Sequence, residues 1–130
     1  MLLRILLVLV GLGHLINGAW MLANPDTWYA NVPGVMQTGP LNHHFVQDIG
    51  MAFVASGSLL IAGAGTLRHS AAFAISGAAW PILHSTIHIA EWLMHGLPSD
   101  GARLFAELVG VAGISGLGGV LAWLRAKGET

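Results

Sequence analysis

The sequence contains no cysteine among its 130 residues. This absence excludes disulfides, thiolate metal ligands and iron–sulfur clusters. Charge is also scarce, because charged residues make up 8% of the chain, whereas soluble domains average about 25%. The formal net charge of −1 offers no basic surface, so we expect no nucleic-acid partner. Neither a Gly-rich phosphate loop nor a strand-like alternation is found.

Apolar residues are plentiful, at 55% of the chain, and most of the surface must therefore face something other than water. Four apolar runs are long enough to cross the hydrocarbon core of a bilayer as helices, which takes about 20 residues each. The sequence therefore predicts one all-α domain over residues 1–130, a transmembrane four-helix bundle. The expected helices cover residues 2–22, 42–65, 71–94 and 103–124, with an extended loop between the first two.

The few basic residues predict how this bundle is oriented. In a four-span arrangement Arg4, Arg68, Arg125 and Lys127 fall on one side, and Arg103 alone falls on the other. Lys and Arg accumulate on the cytoplasmic side of membrane proteins. We therefore expect both termini in the cytoplasm, in a multi-pass protein of a bacterial inner or plasma membrane.

Ionisable side chains concentrate in the half of the bundle that this orientation places outermost. His84, His88 and Glu91 share one face of the third helix, and His44 and Asp48 are four residues apart on the second. Ionisable residues within a membrane are costly and indicate a functional site. The other polar residues expected in this half come from the first, second and fourth helices: His14, Asn17, Asn42 and Glu107.

The leading hypothesis is a transition-metal site. His44 with Asp48 and His84 with His88 would supply ligands from two helices, as in helix-bundle metal sites. Imidazole and carboxylate ligands suit zinc, iron or copper, although copper(I) is disfavoured without thiolates. Additional ligands or supporting hydrogen bonds would come from the polar residues around them: His14, Asn17, Asn42, Glu91 and Glu107. These patterns leave open whether the protein is an enzyme.

Other interpretations use the same residues without a bare metal ion. Haem would need opposed axial histidines, either His44 with His88 or His14 with His84, and is ranked lower because it leaves the carboxylates unexplained. A metal-free site would bind a polar small molecule, a quinone or a lipid headgroup, or would relay protons. Glycine-rich helix faces also permit a homo-oligomer or an accessory subunit of a larger membrane complex.

Two segments resemble a known pattern. "WYANVPGVMQTGPLNHHFVQDIG", from Trp28 to Gly50, and "HSTIHIAE", from His84 to Glu91, resemble a family of small bacterial four-helix membrane proteins of uncharacterised activity. The layout, with "GLGHLINGAW" in the first helix, is loosely similar to the DoxX-like superfamily. These resemblances imply four membrane helices and treat the residues Asn42, His44, Asp48, His84, His88 and Glu91 as one unit.

Overall fold

The computed structural model describes residues 1–66 and 68–128, and this part of the chain is helical with no strand. The predicted all-α class is thus confirmed, and the long helices begin and end within a few residues of the expected positions. The helices are α1 (Leu2–Ala23), α2 (Pro25–Asn31), α3 (His43–Gly63), α4 (Ser70–His95), α5 (Gly101–Phe105) and α6 (Ile114–Lys127). A 3₁₀ turn covers Val35–Gln37, and a π-helical stretch, Ala106–Gly113, joins α5 to α6.

Three helical segments of the described chain are long and apolar enough to cross a membrane: Leu2–Ala23, His43–Gly63 and Gly101–Lys127. They fit a lipid-embedded protein. The 26-residue helix α4 is not among them, although at about 1.5 Å per residue it is long enough to span the hydrocarbon core. Its histidines, serines and Glu91 lower its apolarity.

Helices α1 and α3 pack closely through glycines. A methyl group added at Gly57 would lie 2.5 Å from the Gly11 carbonyl oxygen, and one added at Gly18 would lie 2.5 Å from the Gly50 carbonyl oxygen. The two backbones therefore approach each other more closely than side chains would allow, as small residues permit in membrane helices. His14 lies on the same buried face as Gly11 and Gly18.

The apolar core lies toward one end of the bundle. Its buried members come from the first half of α1, the second half of α3 and the residue after it, the first half of α4 and the second half of α6: Leu7, Val10, Leu60, Ala64, Ala74, Ala78, Leu121 and Ala122. At this end Arg125 donates hydrogen bonds to the carbonyl oxygens of Gly63 and Gly65, at the end of α3. The opposite end is packed differently and holds the candidate site.

The connector, residues 24–42, folds over that opposite end. Asn24 caps α2 by accepting a hydrogen bond from the backbone N–H of Thr27, and Pro25 occupies the first turn. This pair is a known helix-start signal, yet we expected no helix here. The helix that forms is only seven residues long, Pro25–Asn31, and Pro33 follows it closely, as suits a residue that interrupts helices.

Candidate functional site

A cavity of about 950 Å³ lies beneath the connector. Its walls come from α1, α3, α4 and the α5–α6 segment, and the connector covers it from Trp28 to Asn42. Most of the lining is apolar or aromatic, including Phe53 and Trp80. A large apolar cavity with a few convergent polar groups is the usual form of a small-molecule site.

Glu107 is the centre of the polar wall. This carboxylate is buried, with its side chain 8% exposed. Arg103 donates from Nε to Oε1 at 2.6 Å, and Trp92 donates from Nε1 to Oε2 at 2.7 Å. His88 Nδ1 lies 3.7 Å from Oε2. Because both carboxylate oxygens accept hydrogen bonds and a guanidinium balances the charge, Glu107 is held as an anion.

Arg103 also joins this wall to the connector. Its Nη1 donates to Gln37 Oε1 at 2.7 Å. Gly34 packs on the aliphatic part of the same side chain, and a methyl group there would lie 2.8 Å from Arg103 Cγ. Gly34 has a φ of +88°, a conformation that glycine adopts without strain. Arg103 therefore holds in place both the Glu107 carboxylate and the connector that covers the cavity.

A second set of hydrogen bonds fastens the connector to α1. Trp28 donates from Nε1 to Asn17 Oδ1 at 3.0 Å, and Asn17 in turn contacts the Met21 sulfur. Within the connector itself, Tyr29 donates to the Gly39 carbonyl oxygen. These bonds pair the Trp28 indole N–H and the Tyr29 hydroxyl. Much of the remaining connector surface that lines the cavity is apolar, including Val32, Pro33 and Val35.

Aromatic and imidazole rings continue from α1 to the Glu107 wall. The His14 and Phe53 ring centres are 5.5 Å apart, and the Phe53 ring meets Trp80 edge-on at 4.7 Å. Trp80 and His84 stack with planes 7° apart, and His84 meets His88 edge-on with 5.1 Å between ring centres. These contacts give the cavity a nearly continuous aromatic wall.

Two ring nitrogens in this wall are buried without a hydrogen-bond partner, His14 Nε2 and His88 Nδ1. Buried polar atoms are nearly always hydrogen-bonded, so each exception calls for an explanation, such as a bound molecule or ion. Both side chains line the cavity. Among the buried side-chain nitrogen and oxygen atoms of residues 1–66 and 68–128, these two have no hydrogen-bond partner in the protein.

The structure brings together most of the predicted site residues and leaves two outside. Those that line the cavity are His14, Asn17, Asn42, His84, His88, Glu91 and Glu107. His44 and Asp48 do not line it. They lie 3.5 Å apart with side chains 88% and 51% exposed. Asn42 serves to cap α3, since its Oδ1 accepts from the Phe45 backbone N–H.

The predicted metal-ligand set, His44, Asp48, His84 and His88, is not assembled. Among residues 1–66 and 68–128 no group of three or more histidines and carboxylates is arranged to hold a metal ion. For haem, His44 and His88 do not share the cavity, whereas His14 and His84 both contact the Phe53 ring. Metal and haem binding stay predictions that no observation here supports.

Sequence reasoning overlooked Arg103 and the aromatic residues. The sequence patterns indicate Arg103 only as the one basic residue on the outer side of the predicted bundle. Its position four residues before Glu107 was a signal that could have identified it, because residues at this spacing are neighbours on a helix. The hydrogen bonds that Trp92 and Trp28 donate to Glu107 and Asn17 leave no trace in the sequence.

Comparisons with known proteins add no relative. No family model matches the chain, and neither a curated protein nor a solved structure matches it. The resemblance to small bacterial four-helix proteins and to the DoxX-like layout therefore stays a prediction, and function is argued from the cavity.

Proposed function

We propose that this chain is a four-span membrane protein that binds a small, mostly apolar molecule in the cavity beneath the connector. The observation that carries the proposal is the cavity itself. Its volume of about 950 Å³ is at the upper end of the range for small-molecule sites, roughly 300–1,000 Å³. Its apolar walls suit the body of such a molecule, and the unsatisfied histidines suit a polar end.

The proposal includes α4 as a fourth membrane helix. Its polar residues His84, His88 and Glu91 line the cavity, so they need not meet lipid. Its exposed side chains outside the cavity lining include Ile82, Ile89 and Leu93. A helix that turns its polar face inward and its apolar face outward is compatible with a membrane.

The positions of Arg4, Arg68, Arg125 and Lys127 support cytoplasmic termini.

A binding site open toward one side fits better than a pathway through the membrane. His84, His88 and Glu107 follow one another closely, and such a series suits a proton relay. However, the other half of the bundle is an apolar core around Leu7, Leu60 and Leu121. Because the side chains of this core offer no proton acceptor, protons passed along such a relay would reach only a molecule bound in the cavity. A quinone ring, one of the ligands considered from the sequence, has the required apolar body and polar groups.

Filling the cavity tests the proposal. A side chain at Gly13 enters open space in the lining, whereas one at Gly116 enters open space outside it. We expect Gly13→Leu to lose small molecules that co-purify with the native protein, measured by mass spectrometry of solvent extracts. Gly116→Leu is the matched control and should retain them.

Added probes extend the test to a ligand lost during purification. Binding of alkylbenzenes to protein in nanodiscs, relative to empty nanodiscs, should saturate for native protein and for Gly116→Leu. Equal binding by Gly13→Leu, or absence of any saturable binding, would contradict the proposal.

A further inference from the structure

The cavity beneath the connector is closed toward both ends of the bundle, and the inference drawn from this rests on the proposed function. The apolar core lies at one end. At the other end the connector covers the cavity and is held by the hydrogen bonds of Trp28 with Asn17 and of Gln37 with Arg103. A ligand that leaves the connector in place therefore enters from the side, between helices.

Helices α3 and α4 pack closely beside the core and separate toward the connector. A methyl group added at Gly63 would lie 2.6 Å from the Ala74 backbone nitrogen. Closer to the connector the two helices meet through large rings instead, with 4.7 Å between the ring centres of Phe53 and Trp80. Beyond this contact, side chains of both helices line the cavity. The cavity therefore lies between α3 and α4 in this half of the bundle.

Pro81 follows Trp80 inside α4. A proline has no N–H to donate to the carbonyl oxygen four residues earlier, here that of Gly77, and its ring crowds that carbonyl. Prolines are therefore the usual points at which helices bend. The sequence thus supplies a physical reason for α4 to diverge from α3 at this level.

Three apolar side chains mark an opening between the diverging helices. Phe45 of α3 and Leu83 and Ile87 of α4 line the cavity, and they are 62%, 64% and 59% exposed. Trp80 and His84 line the cavity from the same helix α4 and are less exposed. A side chain that both lines a cavity and is largely exposed lies at its rim. In the proposed four-span arrangement this apolar rim faces lipid.

The polar wall of the cavity restricts the charge of the ligand. The Glu107 carboxylate is balanced by Arg103, so the pair offers no net charge, and a buried charge without a partner is strongly disfavoured. A hydroxyl group both donates and accepts hydrogen bonds, and it can pair with the imidazoles of His14 and His88 whichever ring nitrogen carries the proton. The polar end that suits this wall is therefore small and uncharged.

The rim and the polar wall together indicate where the ligand comes from. We propose that it is a single-chain lipid with an uncharged hydroxyl end, such as a long-chain alcohol. It enters the cavity from the bilayer between α3 and α4, and its apolar chain then lies in this opening.

Two photoreactive analogues of hexadecanol test the position of such a molecule. One carries a diazirine beside the hydroxyl group and the other carries it at the end of the chain. Each is added to native protein in nanodiscs, and the modified residues are mapped by mass spectrometry with and without excess hexadecanol. We expect the analogue with the diazirine at the chain end to modify Phe45, Leu83 and Ile87, and excess hexadecanol to abolish this labelling. The other analogue should modify deeper lining residues such as Trp80.

Ordinary contact with lipid is the control for this labelling. Ile82 and Ile89 are exposed on α4 but do not line the cavity. Their labelling should persist in the presence of excess hexadecanol, because the lipid surface does not saturate.

An adjacent pair of substitutions tests entry itself. Leu83→Trp adds bulk at the rim, and Ile82→Trp adds the same bulk at the next residue, outside the lining. An obstructed entrance slows uptake and release by the same factor. We therefore expect Leu83→Trp to slow both rates, measured from the time course of the competed labelling, and to leave Kd unchanged. Ile82→Trp should behave as the native protein does.

The outcomes separate this inference from the proposed function. Competed chain-end labelling on α1 or on Ala106–Gly113 instead of the rim would overturn the route, as would a weaker Kd for Leu83→Trp at an unchanged uptake rate. Saturable binding of alkylbenzenes that hexadecanol does not displace would overturn the ligand class. All three results leave the proposed function intact, whereas saturable binding of neither compound would overturn both.

Discussion

Arg103 and Glu107 illustrate how a single pair can organise a site. Each would be costly alone in an apolar environment, and together they support Trp92 on one side and Gln37 on the other. Removing one partner leaves the other as an uncompensated charge. We expect Arg103→Gln to lower the free energy of unfolding by about 2–3 kcal/mol, less than for a fully buried pair because Arg103 is 27% exposed.

A double-mutant cycle checks this expectation. Thermal unfolding in detergent is compared for Arg103→Gln, Glu107→Gln and the double variant. The double variant should be more stable than the sum of the single effects predicts, since it leaves no unpaired charge. Strictly additive losses would show that the two side chains do not interact in the folded protein.

His44 and His88 receive opposite predictions from the metal hypothesis and the cavity ligand. The metal hypothesis needs both histidines. In the proposed function the ligand lies against His88, which lines the cavity, and not against His44, whose side chain is 88% exposed. We expect His44→Ala to leave ligand binding unchanged and His88→Ala to weaken it about three- to tenfold, the worth of one hydrogen bond.

Elemental mass spectrometry of the same proteins completes that comparison. A near-integral metal content that both substitutions abolish would restore the metal hypothesis and contradict the separation of these residues in the fold.

The sequence could place residues on a common helix face but not choose the direction of that face. His44 and Asp48 are neighbours, as their spacing predicted, yet they point away from the cavity. His84, His88 and Glu107 lie together in the structure, and the sequence indicates this because several helices contribute polar groups at the same end. Which polar face turns inward depends on how the helices rotate against one another, and helical periodicity does not contain this information.

At the scale of the helices, the glycines of α1 and α3 set the distance between two backbones. A methyl group at Gly57 would meet the Gly11 carbonyl oxygen at 2.5 Å and the Leu15 backbone nitrogen at 2.7 Å. Backbone atoms cannot move aside as a flexible side chain can. We expect Gly57→Ala to destabilise the protein by about 1–3 kcal/mol, as overpacking commonly does.

Gly116→Ala is the control for this substitution, because a methyl group there enters open space on α6. In thermal unfolding it should be neutral or slightly stabilising, since alanine favours helices more than glycine does. Equal effects at both positions would contradict the close packing of α1 against α3.

The long helices were predictable because their signals are local. Apolar runs of sufficient length, interrupted by Asn24-Pro25 and Gly96-Leu97-Pro98, mark where α1 and α4 end. Gly96 follows α4 with a φ of +83°, which a glycine adopts readily. The π-helical stretch Ala106–Gly113 carries no comparable signal. The cavity arises from the packing of four elements and the connector, and it could not be predicted from any one of them.

The whole molecule divides into two halves with different roles. The core around Leu7, Leu60 and Leu121 holds the helices together. The other half contains the cavity and is packed less densely. Hydrogen bonds of Trp28 with Asn17 and of Gln37 with Arg103 attach the connector to it. Such a division lets the site keep space for a ligand while stability comes from the apolar half.

The number of membrane crossings can be measured directly, because a chain without cysteine allows single cysteines to be introduced without background. Thr66 lies between α3 and α4, and Ser99 lies between α4 and α5. Both are exposed. If α4 crosses the membrane, with Arg68 and Arg125 on the cytoplasmic side, a membrane-impermeant maleimide added to intact cells should label Ser99→Cys and not Thr66→Cys. Inside-out vesicles should reverse the pattern. Labelling of both positions from the same side would mean that α4 does not cross the membrane. The cavity would then not lie among four membrane-spanning helices.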